Sequence, residues 1–423
     1  MVPFRRSFVL VCFAVMVLAA VGPAYATPGA LDPAFGSGGL VTTDVGGNLN
    51  SVADAVAVQP ADGRIVVGGS TQLASGRWCF FVARYLPDGS SDPSFGSGGI
   101  TITDLGSDAD ASAMTLTADG HILVAGVSSS MMTVEQYRAD GSLDTSFGSG
   151  GVAQVAFPGF PMSEASGVQA LSDGTILLTG SVNLGYPSYT GSLAIARLTA
   201  FGSLDTRFGT GGLVTTSMSG TSLASLGSTM TPKGKIVLVG WSWTTADSTS
   251  TLIAQYLASG PVDRSFNRGK PKVVDLAPGQ SDSATSVTIT SAGAILALSG
   301  VYTLSSGAQV GLVSLQPNGS FTRSFGSRGI VVSDPTIQSD QPRALLLQSD
   351  GKILIAGSAQ EPDVVRFTAS GALDPSFGSG GVAMAFVPSG FGQFNGLATR
   401  LDGSVIAAGV TSGETLLAAF QTS

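Results

Sequence analysis

Short apolar runs recur along the whole chain, separated by turns built from Gly, Asp and Pro, and nowhere past the first 26 residues does the apolar spacing follow a helical period. The stretch from Ser51 to Leu105 is representative. Ala53 to Val58 alternates apolar and small or polar residues and ends at Pro60-Ala61-Asp62-Gly63, a hairpin signal. Arg64 to Gly69 is a nearly continuous apolar run, as expected of a strand covered on both faces. Phe81 to Leu86 is closed by Pro87-Asp88-Gly89, whose Gly can take positive φ, and Ile100 to Asp104 supplies a fourth run. These four runs predict four short strands, A to D, in an antiparallel meander.

The unit repeats. The phrase Leu31-Asp32-Pro33-Ala34-Phe35-Gly36-Ser37-Gly38-Gly39 returns with its Phe at Phe95, Phe147, Phe208, Phe266, Phe325 and Phe377, at intervals of 60, 52, 61, 58, 59 and 52 residues. A turn ending in Gly before an apolar run falls at Gly63, Gly120, Gly174, Gly234, Gly293, Gly351 and Gly403, so two independent markers each count seven. A lone four-stranded sheet leaves apolar faces bare, so the units must stack, and a fixed rotation about an axis closes the stack. The expected fold is therefore all-β: a seven-bladed β-propeller of four-stranded antiparallel blades, with each motif Phe as a wedge between sheets. The chain begins with a phrase and a D strand (Leu31 to Asp44) and stops after a C strand (Leu416 to Phe420). Closure by pairing the N-terminal outer strand with the C-terminal blade follows from that complementarity. An open β-solenoid is the rival arrangement, disfavoured by such long and unequal intervals.

The unit resembles the delta-60 repeat of bacterial secreted and surface proteins. The resemblance rests on Asp62-Gly63-Arg64-Ile65-Val66-Val67-Gly68-Gly69, Ala83-Arg84-Tyr85-Leu86-Pro87-Asp88-Gly89 and Asp92-Pro93-Ser94-Phe95-Gly96-Ser97-Gly98-Gly99 and their counterparts, and it covers the chain after the leader. It implies a propeller outside the cytoplasm and no assigned chemistry. Two copies of the phrase depart: Asn267-Arg268-Gly269-Lys270 replaces the usual small residues, and Thr322 stands where the other copies have Asp.

Residues 1–26 read as a signal peptide, with Arg5 and Arg6, the apolar stretch Phe8 to Val21, and Ala24-Tyr25-Ala26 as a small-x-small cleavage site. The apolar stretch before Pro23 is shorter than the roughly 20 residues a spanning helix needs. Residues 27–423 then form one domain, expected to be secreted or periplasmic, monomeric and without stable membrane insertion. Cys12 leaves with the leader and Cys79 remains alone, so no intramolecular disulfide is expected. Lys and Arg total 20 against 28 Asp and Glu, a net charge of −8, which argues against nucleic acid as a partner.

Familiar chemistry finds little to stand on. The single His, His121, begins a B strand where other units have Arg64, Thr175, Lys235, Ala294, Lys352 and Ser404, which reads as a solvated strand end. There is no Gly-x-Ser-x-Gly elbow, no phosphate-loop Lys, and no Cys/His zinc spacing, so no cofactor or metal is expected. The motif residues Asp32, Asp92, Asp144, Asp205, Asp263 and Asp374 occur once per blade and are expected to accept backbone N–H bonds in the C-to-D connection, in preference to binding calcium.

In such a meander the A-to-B and C-to-D turns share one face and are short and alike; the B-to-C and D-to-A loops share the other and vary. Variable loops on a rigid scaffold are where binding resides. Trp78, Trp241, Trp243, Tyr186, Tyr189 and Tyr302 are assigned to B-to-C loops, and Phe157, Phe160, Phe391 and Phe394 to D-to-A loops. The first six are the candidate binding residues for a polysaccharide, a peptide or a surface protein, the competing reading being that these rings fold back over blade ends. A hydrolase or lyase is the alternative, requiring a carboxylate cluster of Asp54, Asp110 and Asp282 at the axial mouth.

Overall fold

The computed structural model describes residues 27–47, 50–185, 190–244, 248–303, 307–335, 341–358, 361–388 and 390–423. The leader assigned to residues 1–26 lies outside them. Among the described residues the chain forms seven four-stranded antiparallel sheets arranged as the blades of a propeller. Blade 1 comprises β2 (Ser51–Val58), β3 (Ile65–Gln72), β4 (Trp78–Tyr85) and β5 (Ile100–Thr103), paired in chain order. Strands B and C reach further toward the variable loops than the apolar runs indicate, because their last residues are polar or bulky yet still pair: Gln72 with Trp78, Thr71 with Cys79.

Blade 7 joins the two ends of the chain. Strands Gln393–Thr399, Val405–Thr411 and Glu414–Phe420 are completed by β1 (Leu40–Thr43), with Leu40 opposite Ala418 and Thr43 opposite Thr415. The Gly29 N–H donates to the Gln421 carbonyl (2.7 Å), and the Gly378 N–H donates to Pro28 (2.8 Å), so the N-terminal segment ties blade 7 to blade 6 as well.

The core is seven layers, one in each seam between neighbouring blades, and each contains one motif ring: Phe35, Phe95, Phe147, Phe208, Phe266, Phe325 or Phe377. The residue after the ring donates its N–H to the C-to-D turn of the next blade in successive seams, Gly96 to Asp140 (2.9 Å) and Gly326 to Ser370 (2.9 Å) among them. Burial of one such ring contributes roughly 1.5–3 kcal/mol, and the backbone bond beside it fixes the angle between sheets.

Every innermost strand carries a bulge that leaves one extra residue facing the axis: Asp54, Ser112, Ser166, Leu226, Thr285, Arg343 or Asn395. The bulge explains a Gly inside most B strands. At Gly126 a Cβ would lie 1.9 Å from the Asp110 carbonyl, so no side chain fits opposite the kink.

The phrase Asp behaves as its turn chemistry requires. Asp92 Oδ1 accepts the Ser94 N–H (3.0 Å), and the same i to i+2 bond recurs at Asp32, Asp144, Asp205, Asp263 and Asp374. The two irregular phrases are absorbed locally. Asn267 and Arg268 take left-handed conformations (φ 41° and 59°) in a 3-10 turn, and Thr322 keeps the turn by donating its N–H to the Ser314 carbonyl (2.9 Å).

Candidate functional site

On the variable-loop face the seven A strands converge on the axis, and the residue two before each bulge lines the mouth. Blades 1, 2 and 3 supply Val52, Asp110 and Glu164 there, with Asp54 one layer deeper on its bulge. Asp110 Oδ1 accepts the Ser70 hydroxyl (2.9 Å), and that hydroxyl accepts the Ala111 N–H (2.7 Å), which fixes the carboxylate across the seam between blades 1 and 2. Burial, then the nearby Asp110 charge, pushes the Asp54 carboxyl well above the ordinary range, with Arg343 of blade 6 opposing the shift. Glu164 is raised by burial and by Asp110. One arc of the mouth is acidic, and Arg343 stands on a different blade of the ring.

Two clefts open beside this arc. The first, about 540 Å³, lies between blades 1 and 2 and is lined by Trp78, Asp54, Asp108, Asp110, Val52 and Val127. The Trp78 backbone N–H donates to Asp108 Oδ1 (3.1 Å), which ties the start of the indole-bearing strand to the acidic loop. The second, about 160 Å³, spans blades 2 to 4 and is lined by Trp241, Met162, Glu164 and Asn183. An aromatic wall beside carboxylates gives each cleft one apolar side and one acceptor side.

The candidate aromatics divide. Trp78 is the first residue of a C strand, Trp241 and Trp243 close a B strand, and Tyr302 lies near the end of another (Ile295–Thr303), so all four flank loops instead of sitting in them. Trp78 and Trp241 are half-buried at clefts; Trp243 and Tyr302 are exposed. Tyr186 and Tyr189 lie outside the described residues. Of the four Phe assigned to D-to-A loops, Phe157, Phe160 and Phe391 lie in them, and Phe394 alone is corrected. Phe394 belongs to an A strand and packs edge-on against Phe420 (6.0 Å), Phe157 is buried in the seam between blades 2 and 3, and Phe160 packs against that layer. Phe391 alone of the four is exposed, and nearby Phe386 is exposed with it.

The carboxylate cluster is also corrected. Asp54 and Asp110 share a cleft, but Asp282 is fully buried in the seam between blades 4 and 5, where it accepts the N–H groups of Thr251 (2.6 Å) and Leu276 (3.1 Å). Glu164, which the sequence reading passed over, occupies the arc in its stead. The mouth thus offers hydrogen-bond acceptors and charge. Among the described residues no three His, Cys, Asp or Glu side chains are grouped to hold a metal ion.

On the opposite face His121 is half-buried, with Nδ1 3.2 Å from Asp119 and Nε2 3.6 Å from Asp144, so the strand-end column is a partner for the phrase Asp and not simply solvated. Arg64, Lys235 and Lys352 reach Asp92, Asp263 and Asp374 from the same column (3.0, 2.6 and 3.3 Å). Strand C adds Arg84, Arg197 and Arg366, each pairing with the Asp of its own blade, and Arg400 pairs with Asp32 (2.8 Å). The Arg84 guanidinium also lies 4.6 Å over the Phe95 ring.

The family described as Domain of unknown function (DUF5122) beta-propeller matches the chain at residues 61–95, 117–147, 171–208, 232–266 and 348–377. No curated protein sequence matches it. Solved structures with a similar fold include YCF48 bound to D1 peptide (13% identity, 95% of this chain and 100% of that one, TM-score 0.48). YCF48 from Cyanidioschyzon merolae aligns at 10% identity over 90% of this chain and 99% of that one, TM-score 0.49. Drosophila Plexin A in complex with Semaphorin 1b aligns at 9% identity over 90% and 86%, TM-score 0.46.

Proposed function

We propose that this protein is an exported binding module of the delta-60 type that recognises its ligand on the variable-loop face, with the cleft between blades 1 and 2 as its principal site. The observation that carries this reading is the meeting of Trp78, Asp54, Asp108 and Asp110 around about 540 Å³ of accessible space. That volume falls within the roughly 300–1,000 Å³ of small-ligand sites, and a flat ring beside fixed carboxylates suits hydroxylated or amine-bearing ligands. Polysaccharide segments and peptides of low acidity meet that description. Strongly anionic ligands are repelled by the acidic arc.

Residues 27–423, Trp78→Ala, and the double variant Trp241→Ala/Trp243→Ala are to be screened against glycan and peptide panels, and hits measured by calorimetry. Loss of Trp78 is expected to weaken binding at least tenfold, about 1.4 kcal/mol, and the double variant to weaken any ligand that reaches the second cleft. A ligand bound with unchanged affinity by both variants would place recognition elsewhere. Turnover of a bound glycan would instead favour a hydrolase or lyase acting through Asp54 and Asp110.

A further inference from the structure

The face of short turns carries a site that only comparison of the seven seams exposes. In four seams an Arg guanidinium lies over the wedge ring: Arg400 on Phe35, Arg84 on Phe95, Arg197 on Phe208 and Arg366 on Phe377, at 4.6–5.7 Å. Each such Arg pairs with the phrase Asp. Arg84 and Arg197 also donate to the carbonyls of Ala139 and Ala258 in the next blade's turn.

The seam between blades 5 and 6 lacks all of this at once. Strand register puts Ser314 where Arg84 and Arg366 stand, Thr322 replaces the Asp, and Ala294 replaces the cation of the strand-end column. The result is a cavity of about 370 Å³ lined by those three residues with Ser324, Phe325 and Ala369, the last being the counterpart of Ala139 and Ala258. Phe325 is 6% exposed, whereas the six other wedge rings are at 0–1%. The ring therefore keeps its place but has lost its cover.

The chemistry of the walls selects an occupant. Leu296, Ile353 and the Phe325 ring form an apolar side, while Ser314, Ser324 and Thr322 carry hydroxyls, that of Thr322 accepting the Gln316 side-chain amide (3.1 Å) and keeping its own proton to donate. Among the described residues no carboxylate lines the cavity, so a cation would lose hydration without gaining a counter-charge. The missing ion pair was neutral as a unit and supplied donors and acceptors together. An amide does the same with no net charge, and its methyl, in the acetyl case, covers the apolar side.

We propose that this seam cavity binds a neutral acetamido group, the group borne by N-acetylated amino sugars. It is independent of the variable-loop site, on the opposite face.

The test uses N-acetylglucosamine as the probe, followed by saturation-transfer NMR and titration calorimetry on residues 27–423. Glucosamine, glucose and methylguanidinium serve as controls. The filled variant Ser314→Arg/Thr322→Asp restores the pattern of the other blades, and it is expected to melt no lower than the parent and to lose the probe at least tenfold. Thr322→Val, which keeps the volume and removes one hydroxyl, is expected to weaken the probe severalfold even where the filled variant folds poorly. A probe lost in Trp78→Ala would sit in the variable-loop cleft, which would also overturn the assignment. Absence of probe binding, equal binding of glucosamine, glucose or methylguanidinium, or unchanged affinity in Thr322→Val would each overturn the assignment.

Discussion

Glu135 stands in a C strand at the position that the other blades fill with Ala83, Ala196, Ala254, Val313, Val365 and Ala418. It is fully buried, takes the Tyr137 hydroxyl, and that hydroxyl also meets Thr103 (2.6 Å). Burial pushes its carboxyl from 4.5 up to about 7, against the lowering effect of the Tyr137 and Thr103 bonds. Because the folded value lies above the unfolded one, the protonated acid stabilises the fold below about pH 4.5. That stabilisation is lost as pH rises through about 7, a swing of roughly 3 kcal/mol. Urea midpoints of the parent are expected to fall between pH 5 and pH 8, and Glu135→Gln, which stays neutral, to flatten the profile; parallel profiles would reject the role. Asp92 and Asp374 act at the other extreme. Burial alone would raise them, but Ser hydroxyl and amide bonds and their cations outweigh it and hold both at about 2, so their contribution is present above the ordinary carboxylate range and lost as pH falls through about 2. Glu135 leaves a trace in the chain only after the seven C strands are aligned on register, and a reading by motif passes over it. The cations of the phrase Asp are hidden for a different reason: they come from strand B, from strand C, or from Arg400, so no single column announces them.

At the scale of the element, the C-to-D turn must do two things with one Gly. At Gly141 φ is +86°, and a Cβ there would meet the Phe95 ring at 2.8 Å, because the wedge of one blade seats under the turn of the next. Gly98, in the phrase itself, has φ +63° with nothing within 4 Å of a Cβ. Gly98→Ala is therefore expected to cost only the left-handed penalty, about 1–2 kcal/mol. Gly141→Ala adds overpacking against a ring that cannot retreat, for a total of roughly 2–5 kcal/mol. Urea midpoints of the two variants check this, and equal losses would remove the ring from the explanation. Strand identity and order were legible because each blade repeats the same turn and the same apolar run. The bulges were not, since the extra residue is Asp, Ser, Leu, Thr, Arg or Asn and bears no common signature. The same blindness misplaced the aromatics: Trp78, Trp241 and Trp243 look like loop residues because the strands beside them end in polar positions that nevertheless pair across the hairpin.

For the whole molecule, closure is the interaction that no single blade can supply. The complementary truncations of the two end units predicted it, and the pairing of Leu40–Thr43 with Glu414–Phe420 realises it. The N-terminal segment also supplies Asp32, which accepts from Arg400, and seats Phe35 in the seam between blades 7 and 1. Without it, blade 7 would present an unpaired strand edge and an empty wedge position, in a protein whose stability rests on seven seams with no disulfide among the described residues. A chain beginning at residue 47 is therefore expected to melt well below residues 27–423 and to self-associate through the bare edge. A synthetic peptide of residues 27–46, added in excess, is expected to raise the melting temperature in proportion to the logarithm of its concentration, since it binds the folded ring and not the unfolded chain. A scrambled peptide of the same composition controls for non-specific protection. Equal melting of the two chains, or a truncated chain that stays folded yet ignores the peptide, would show that the ring holds its shape without the clasp.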